Sequence, residues 1–461
     1  MLYLGVDIGT TNTKAVLLDE QQQLVDCASI PSAVPGKNGE LLAQSWHEHF
    51  CQLVHRFKEK GNFGQERIVC SITAQGGSFV LLNKQYKPVS SGYSWTSLAS
   101  EHWVSDLKKT IEENAFYKMT GWEPAGWLMA VKLKELRQTR PELFADMRYA
   151  ATVPEFIHSQ LFGELVSDIT NAQITGMFDF NIGDWSPEIL DWVQIPKEAL
   201  PRVLSSLEVF REDAVVEGQK ISFVTSSHDQ YAAMRACGVD QGSLMLATGT
   251  AWVINGKSAE PIYDKHYLIH PGRDLTKDGY GYIATMGALG GGFDKLIERY
   301  GLHYRDLAGI VDEFQKAGLP RQAIDIDITQ GLICVNGMNP AQAVRRYMEA
   351  VAALVRYVLE KMGVHQGLKK LLMTGGAVSG GLWPQIIANI CRVPVEAVTF
   401  GELTAYGAAL LAKSAVMENV KTNSWPTEAK VCVYEPESEN NYDEWYHHLQ
   451  MESLKRSKCY E

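Results

Sequence analysis

Several things are missing from this sequence, and each absence narrows what it can be. No apolar run is long enough to span a bilayer. No basic stretch followed by an apolar segment precedes Asp7, so no secretory leader is expected. The eight cysteines fall singly at 27, 51, 70, 237, 334, 391, 432 and 459, with no Cys-x-x-Cys pair and no Cys/His cluster. That scatter suggests neither a zinc module nor a disulfide scaffold, and a reducing cytoplasm is the expected home. Positive charge is also short. The formal net charge of −11 argues against nonspecific binding to nucleic acid or an anionic membrane. The glycines of Met286 to Phe293 are not followed by Gly-Lys-Ser/Thr, so they do not make a P-loop.

What remains is a globular composition. With 461 residues, 46% hydrophobic and 21% charged, the chain has material for two or three domains. The first twenty residues organise it. Two apolar runs, Leu2 to Val6 and Ala15 to Leu18, flank a turn of Gly, Thr and Asn and predict a tight hairpin. Asp7 sits at the end of the first run, with Gly9, Thr10 and Thr11 after it. Glycine lets backbone approach a ligand, successive N–H groups make an anion-binding concavity, and a nearby carboxylate can hold hydrated Mg²⁺. The other reading is an ordinary hairpin with a turn Asp.

Further along, Leu24 to Ile30 predicts a third strand and Ser45 to about Lys60 a helix. Arg67 to Thr73 predicts a buried strand ending in Gln75-Gly76-Gly77-Ser78, a candidate substrate loop because ligands collect at strand ends. Trp95, among hydroxyls, suits either a sugar face or a core. Ser100 to Leu143 reads as helical with a break at Gly121 to Gly126, and Lys132 inside it as solvent-exposed. Glu164 to Asp184 reads as polar loop, able to line a cleft or to cap short helices. Ile221 to Val224 predicts a strand, with His228-Asp229 just beyond and a helix from Tyr231 to Cys237. Asp229 is then either an N-cap or a general base facing a cleft.

Gly242 to Asn255 repeats the opening design, an apolar strand, a turn of Thr248-Gly249-Thr250 and a second strand. Such an echo suggests two related domains facing each other. Asn339-Pro340 starts a long helix ended by Gly363. Lys369 to Thr374 predicts a strand ending in Gly375-Gly376-Ala377, where a flat base could lie on backbone or where a tight turn simply leads into a helix. Residues 416–461 read as an extended arm and one amphipathic helix packed on the body.

Together these motifs resemble the FGGY carbohydrate kinases. Asp7-x-Gly9-Thr10-Thr11, His228-Asp229, Thr248-Gly249-Thr250 and Thr374-Gly375-Gly376-Ala377 occur in the family's order, as do Gln75-Gly76, Val153-Pro154, Ser167-Asp168, Asp184-Trp185-Ser186, Met348-Glu349 and the tail Tyr434-Glu-Pro436…Tyr442. The resemblance implies an α/β fold of two ribonuclease-H-like domains, of the actin and hexokinase type, with a cleft between them. It implies an N-terminal domain over 1–240, a C-terminal domain over 241–415 and the arm over 416–461. Asp7, Gly9, Thr10, Thr11 and Lys14 would serve ATP and Mg²⁺, with Asp7 meeting the metal through water. Thr248, Gly249 and Thr250 would form the second phosphate turn, and Gly375, Gly376 and Ala377 would lie by the adenosine. Asp229 would be the catalytic base, and Gln75, Gly76, Gly77, Trp95, His228 and Asp229 would face the sugar.

The departures sit mostly on the sugar side. Where xylulokinase-like members carry Trp-Asn/Gln-Asp-x-Arg, this chain has Trp95-Thr96-Ser97-Leu98-Ala99. Their Gln-Met-His-Gly is Gln75-Gly76-Gly77-Ser78, and their Lys-Leu-x-Trp is Lys132-Leu133-Lys134-Glu135. Their Gly-Glu-Arg segment is compressed into Gln330 to Pro340. The expectation is an ATP-dependent kinase of a small sugar, a ketose such as xylulose. The alternatives are an ATP-binding relative acting on another polyol or deoxy sugar, or one that has lost kinase activity. A zinc-containing, repressor-linked kinase is disfavoured because the cysteine cluster is missing. A homodimer is the default for a cytoplasmic enzyme.

Overall fold

A computed structural model of the chain describes all residues except 34, 35, 37, 38, 226, 276–278, 305, 306, 308–324, 328–331, 336, 419, 421–424, 438–441 and 448–461. Part of the compressed segment from Gln330 to Pro340, and the tail beyond residue 447, therefore lie outside the described residues.

The opening strand is Leu2–Ile8, and its side chains alternate between two cores. Leu2, Leu4, Val6 and Ile8 join one apolar cluster, while Tyr3 joins another on the opposite face. Such two-sided burial explains why the strand reads as a continuous apolar run. It pairs antiparallel with Asn12–Leu18 and parallel with Ile68–Ala74. The whole sheet runs Val209–Val216, Gln219–Val224, Ile68–Ala74, Leu2–Ile8, Asn12–Leu18, Leu24–Pro31, with Ser227–His228 continuing beside Ile68–Ala74.

A second sheet repeats this plan. Ser243–Thr248 pairs antiparallel with Trp252–Ser258 and parallel with Lys370–Gly375. Val395–Thr399 and the antiparallel edge strand Lys430–Tyr434 follow on one side. Tyr280–Thr285 and Ile269–Arg273 complete the other. The partner order and direction around Ser243–Thr248 match those around Leu2–Ile8. The internal echo in the sequence is thus a duplicated fold, two mixed α/β domains.

The helix Pro340–Lys361 begins after Asn339, as its sequence predicts, with Gln342 completing a capping box, and buries its apolar face in the second core. Tyr442, Trp445 and Tyr446 from the arm are buried in the same core. The helix Leu403–Ser414 lies in sequence between two strands of the second sheet, Val395–Thr399 and Lys430–Tyr434, but packs on Leu2–Ile8 and on the helix Asp229–Cys237. Glycine permits this approach. A Cβ on Gly407 would stand 1.9 Å from the Ala232 carbonyl oxygen, and one on Gly5 would stand 2.0 Å from that of Ala405.

Two expectations are overturned. Lys132 is buried, at 4% exposure, because its helix Met129–Thr139 packs deep in the first domain. Its ammonium donates to the Ser94 carbonyl at 2.8 Å. The stretch from Glu164 to Asp184 is not a loose loop, although the expected capping of a short helix holds, with Asp168 as the cap of Ile169–Gln173. It forms the strand Val166–Asp168, the helix Ile169–Gln173 and the paired strands Phe178–Asp179 and Asp184–Trp185. Its small polar residues satisfy one another's hydrogen bonds in a buried setting, which composition alone does not distinguish from solvent exposure.

Candidate active site

Asp7 stands near the end of Leu2–Ile8, opposite Lys14 and beside Thr73. The turn closes by Gly9 N–H donating to the Asn12 carbonyl at 3.1 Å. Asp7 Oδ1 is buried with no hydrogen-bond partner. Burial, reinforced by Asp229 and opposed by Lys14, pushes its carboxyl up to about 8. A buried carboxylate oxygen with no donor, at the lip of a cleft, suits a cation that supplies the missing positive charge. The residues therefore fit a Mg²⁺ at Asp7.

The cleft encloses about 290 Å³ and is lined by Asp7, Lys14, Gln230, Thr374 and Gly375 among others. The fold has thus brought Asp7 and Lys14 of the first hairpin, Gln230 just after the His-Asp junction and Gly375 of the distant glycine turn to one space. Lys14 reaches across it and donates to the Gly401 carbonyl. The second hairpin abuts the same region. Thr248 donates to the Thr374 carbonyl at 2.6 Å and accepts from Ala377 N–H at 3.3 Å. Its hydroxyl therefore ties the two glycine turns together, while Gly249 and Thr250 are exposed at the tip. Gly375 turns the chain with φ at 99°, and Gly376 and Ala377 open the short 3-10 turn Gly376–Val378.

On the other side of the hairpin, Thr10 donates to Gln75 Oε1 and accepts from Trp95 Nε1 at 3.1 Å. Its side chain thus joins Gln75 to Trp95 across the mouth of the first turn, and Thr11 is exposed beside it. Trp95 is 39% exposed, which rules out the core reading for it. Ser78 holds its backbone at 3.0 Å. Gly76 lies so close to His228 that a Cβ there would stand 2.6 Å from Nε2. Gly77 lies against Trp95 and the ring of Trp127.

His228 is the N-cap residue of the helix Asp229–Cys237, and it makes no side-chain capping bond. Asp229 is the first helical residue, so the N-cap reading of its carboxylate does not hold. His228 Nε2 lies 3.1 Å from Asp229 Oδ1, yet that oxygen has no aligned hydrogen-bond donor. The Asp229 side chain is 28% exposed. Asp229 and Asp7 are close enough for their charges to interact.

Four contributors escaped the sequence reading. Gln230 lines the cleft directly after Asp229. Trp127 walls the Gln75 to Ser78 loop. Lys132 holds the carbonyl just before Trp95, and burial lowers its pKa to about 7. His270 reaches over from the second sheet to stack on Trp122, with ring centroids 4.3 Å apart, and lies 3.4 Å from Glu123. The adjacency of Gln230 to Asp229 was a usable signal. The other three depend on long-range packing.

Comparison with known proteins fits this geometry. The N-terminal domain of the FGGY family of carbohydrate kinases matches residues 2–235, and its C-terminal domain matches residues 304–416. A glycerol kinase of Thermococcus gammatolerans is 25% identical, over 98% of this chain and 97% of its own length. An L-fuculokinase of Escherichia coli is 25% identical, over 88% of this chain and 91% of its own length. The crystal structure of xylulose kinase from Rhodospirillum rubrum superposes with a TM-score of 0.89 at 19% identity, covering 100% of this chain and 99% of that one. The duplicated sheets, the shared cleft and the two domain matches make this chain a member of the FGGY family of carbohydrate kinases, an ATP-dependent sugar kinase.

Proposed function

We propose that the chain transfers the γ-phosphoryl group of ATP to a primary hydroxyl of a small neutral sugar, a ketose such as xylulose, with Asp229 as general base. The observation that carries this reading is the Asp229 carboxylate. It is partly exposed, has an oxygen without a hydrogen bond, and stands at a helix start between the Asp7 cleft and the His228–Gly76 contact. Phosphoryl transfer needs positioning and charge neutralisation more than covalent chemistry. Asp229 would take the proton of the attacking hydroxyl. Gln75, Trp95 and His228 would orient the acceptor, and the turns at Gly9 to Thr11 and Thr248 to Thr250 would hold the phosphates. A Mg²⁺ held at Asp7 would neutralise phosphate charge. Gly375, Gly376 and Ala377 would receive the adenosine. In this reading residues 1–240 form the sugar side, 241–415 the adenosine side and 416–461 a supporting arm. The polar groups offered to the acceptor are amide, imidazole and carboxylate, a set suited to hydroxyls, with the Trp95 ring face beside them because its N–H is held by Thr10.

The test is ATP consumption across a panel of ketoses, aldoses and polyols. Turnover is expected with a ketose. A strong preference for glycerol would replace that assignment, a reading favoured by the 25% identity to a glycerol kinase over 98% of this chain. Asp229→Asn is expected to lower turnover by roughly 10²–10⁴-fold and to leave ATP binding nearly intact. Unchanged turnover rejects Asp229 as the base.

A further inference from the structure

The peptide group between Ser227 and His228 is held at both ends by threonine hydroxyls from different parts of the chain. Thr73 donates to the Ser227 carbonyl at 2.6 Å. His228 N–H donates to Thr170 Oγ1 at 2.9 Å. Both contacts are buried, with Thr73 at 0% exposure and Thr170 at 3%. Ser227 lies beside Thr73 in the sheet, so the first contact reinforces a strand pairing. The second has no such origin. It joins two segments 58 residues apart, from the helix Ile169–Gln173 to the start of Asp229–Cys237.

Behind Thr170 stands Asp168, fully buried. Its Oδ1 accepts from the Thr170 hydroxyl at 2.6 Å and from Thr170 N–H at 2.7 Å. Its Oδ2 accepts from Asn171 Nδ2 at 2.5 Å. Capping of the short helix accounts for the backbone bonds. It does not account for the Thr170 hydroxyl. A hydroxyl has one hydrogen, and both Asp168 oxygens already accept from Thr170 N–H and the Asn171 side chain, so the Thr170 hydrogen is the one that reaches Asp168. With that hydrogen committed to Asp168, Thr170 presents lone pairs alone to the His228 N–H. The chain of contacts is therefore directional, from Asp168 through Thr170 to the peptide that carries the His-Asp junction.

We propose that Asp168 and Thr170 are positioning residues for phosphoryl transfer, a clamp that sets where the Asp229 carboxylate stands relative to the acceptor hydroxyl. The proposal rests on the reading of Asp229 as general base. Neither residue touches substrate in it. They act through the backbone of His228, and small displacements of a reacting group are costly to rate.

The test compares Thr170→Val, Thr170→Ser and Asp229→Asn, using the best acceptor from the sugar panel. Valine keeps the shape and removes the acceptor. Thr170→Val is expected to lower kcat roughly 10- to 100-fold with the KM for ATP unchanged. Thr170→Ser, which keeps the hydroxyl, is expected to restore kcat to near the original value. Wild-type kcat in Thr170→Val overturns the clamp. So does equal loss in the serine variant, which would mean the methyl group matters and not the hydroxyl. Should Thr170→Val fail to fold, Asp168→Asn serves in its place. It keeps size and removes the charge, and wild-type kcat there overturns the proposal equally. If Asp229→Asn stays active, the base assignment falls by itself. If it is inactive while Thr170→Val is fully active, only the clamp falls.

Discussion

Lys132 is a buried ammonium with an unusual task for a lysine. Its Nζ donates to the carbonyl of Ser94, one residue before the Trp95 that bonds to Thr10. Removing that donor leaves a backbone acceptor unsatisfied near the Gln75 to Ser78 loop, at a cost of about 1–3 kcal/mol. Lys132→Met should therefore loosen Trp95 and raise the sugar KM about 5- to 150-fold, while the KM for ATP stays unchanged. Steady-state kinetics with each substrate varied in turn would show it. An unchanged sugar KM would make Lys132 merely a buried cation. Reading residue by residue, an observer sees the Lys inside a helical pattern and places it in water, the usual location. Only the packing of Met129–Thr139 against the domain reveals otherwise. Asp7, by contrast, was legible, because a carboxylate next to a Gly-Thr turn needs no distant partner to be noticed.

Elements tell a similar story. The hairpins, the cap at Asn339 and the long helix behind it follow from local pattern, since strand alternation and capping chemistry act over a few residues. The helix Leu403–Ser414 has no such local signal for its docking. It inserts between Leu2–Ile8 and Asp229–Cys237, and Gly407 is what lets it lie against Ala232. In an isolated helix, Gly→Ala is stabilising by about 1 kcal/mol. Here the new methyl group would meet backbone at 1.9 Å, and backbone cannot rotate away. Gly407→Ala should thus reverse the sign and destabilise by about 1–3 kcal/mol through overpacking. The expected result is a lowered Tm with a parallel loss of kcat, because the same helix supports the strand bearing Asp7. A raised Tm would show that the two helices can part at little cost.

For the whole molecule, buried titratable groups shape stability against pH. Burial raises the Glu155 carboxyl to about 7 from its ordinary 4.5, although Ser167 and Thr152 donate to it and pull the other way. A raised folded pKa means the folded state holds the proton more tightly. The stabilisation is then complete below about 4.5 and is lost as pH rises through about 7, on the order of 3 kcal/mol in all. Lys132 acts in the opposite sense, since its folded pKa of about 7 lies below its ordinary 10.5. The unfolded chain binds that proton more tightly between the two values, so stability gains as pH rises from about 7 towards 10.5. Glu155→Gln should flatten the fall of Tm between about 4.5 and 7, and Lys132→Met the rise above 7. Denaturation scans across that range check both slopes, and unchanged slopes would show that neither group titrates on unfolding.

The amino-acid sequence by itself determined the local elements, the duplicated plan and the order of the turn motifs. Periodicity, capping and glycine placement are encoded within a few residues of one another. Only the tertiary structure decided which of these meet. It drew Asp7, Lys14, Gln230 and Gly375 into one cleft, bound Thr10 to both Gln75 and Trp95, and buried Lys132 and Asp168. Those outcomes depend on contacts between segments tens to hundreds of residues apart. Such contacts are set by packing two sheets and the helix Leu403–Ser414 together, and no window of sequence contains them.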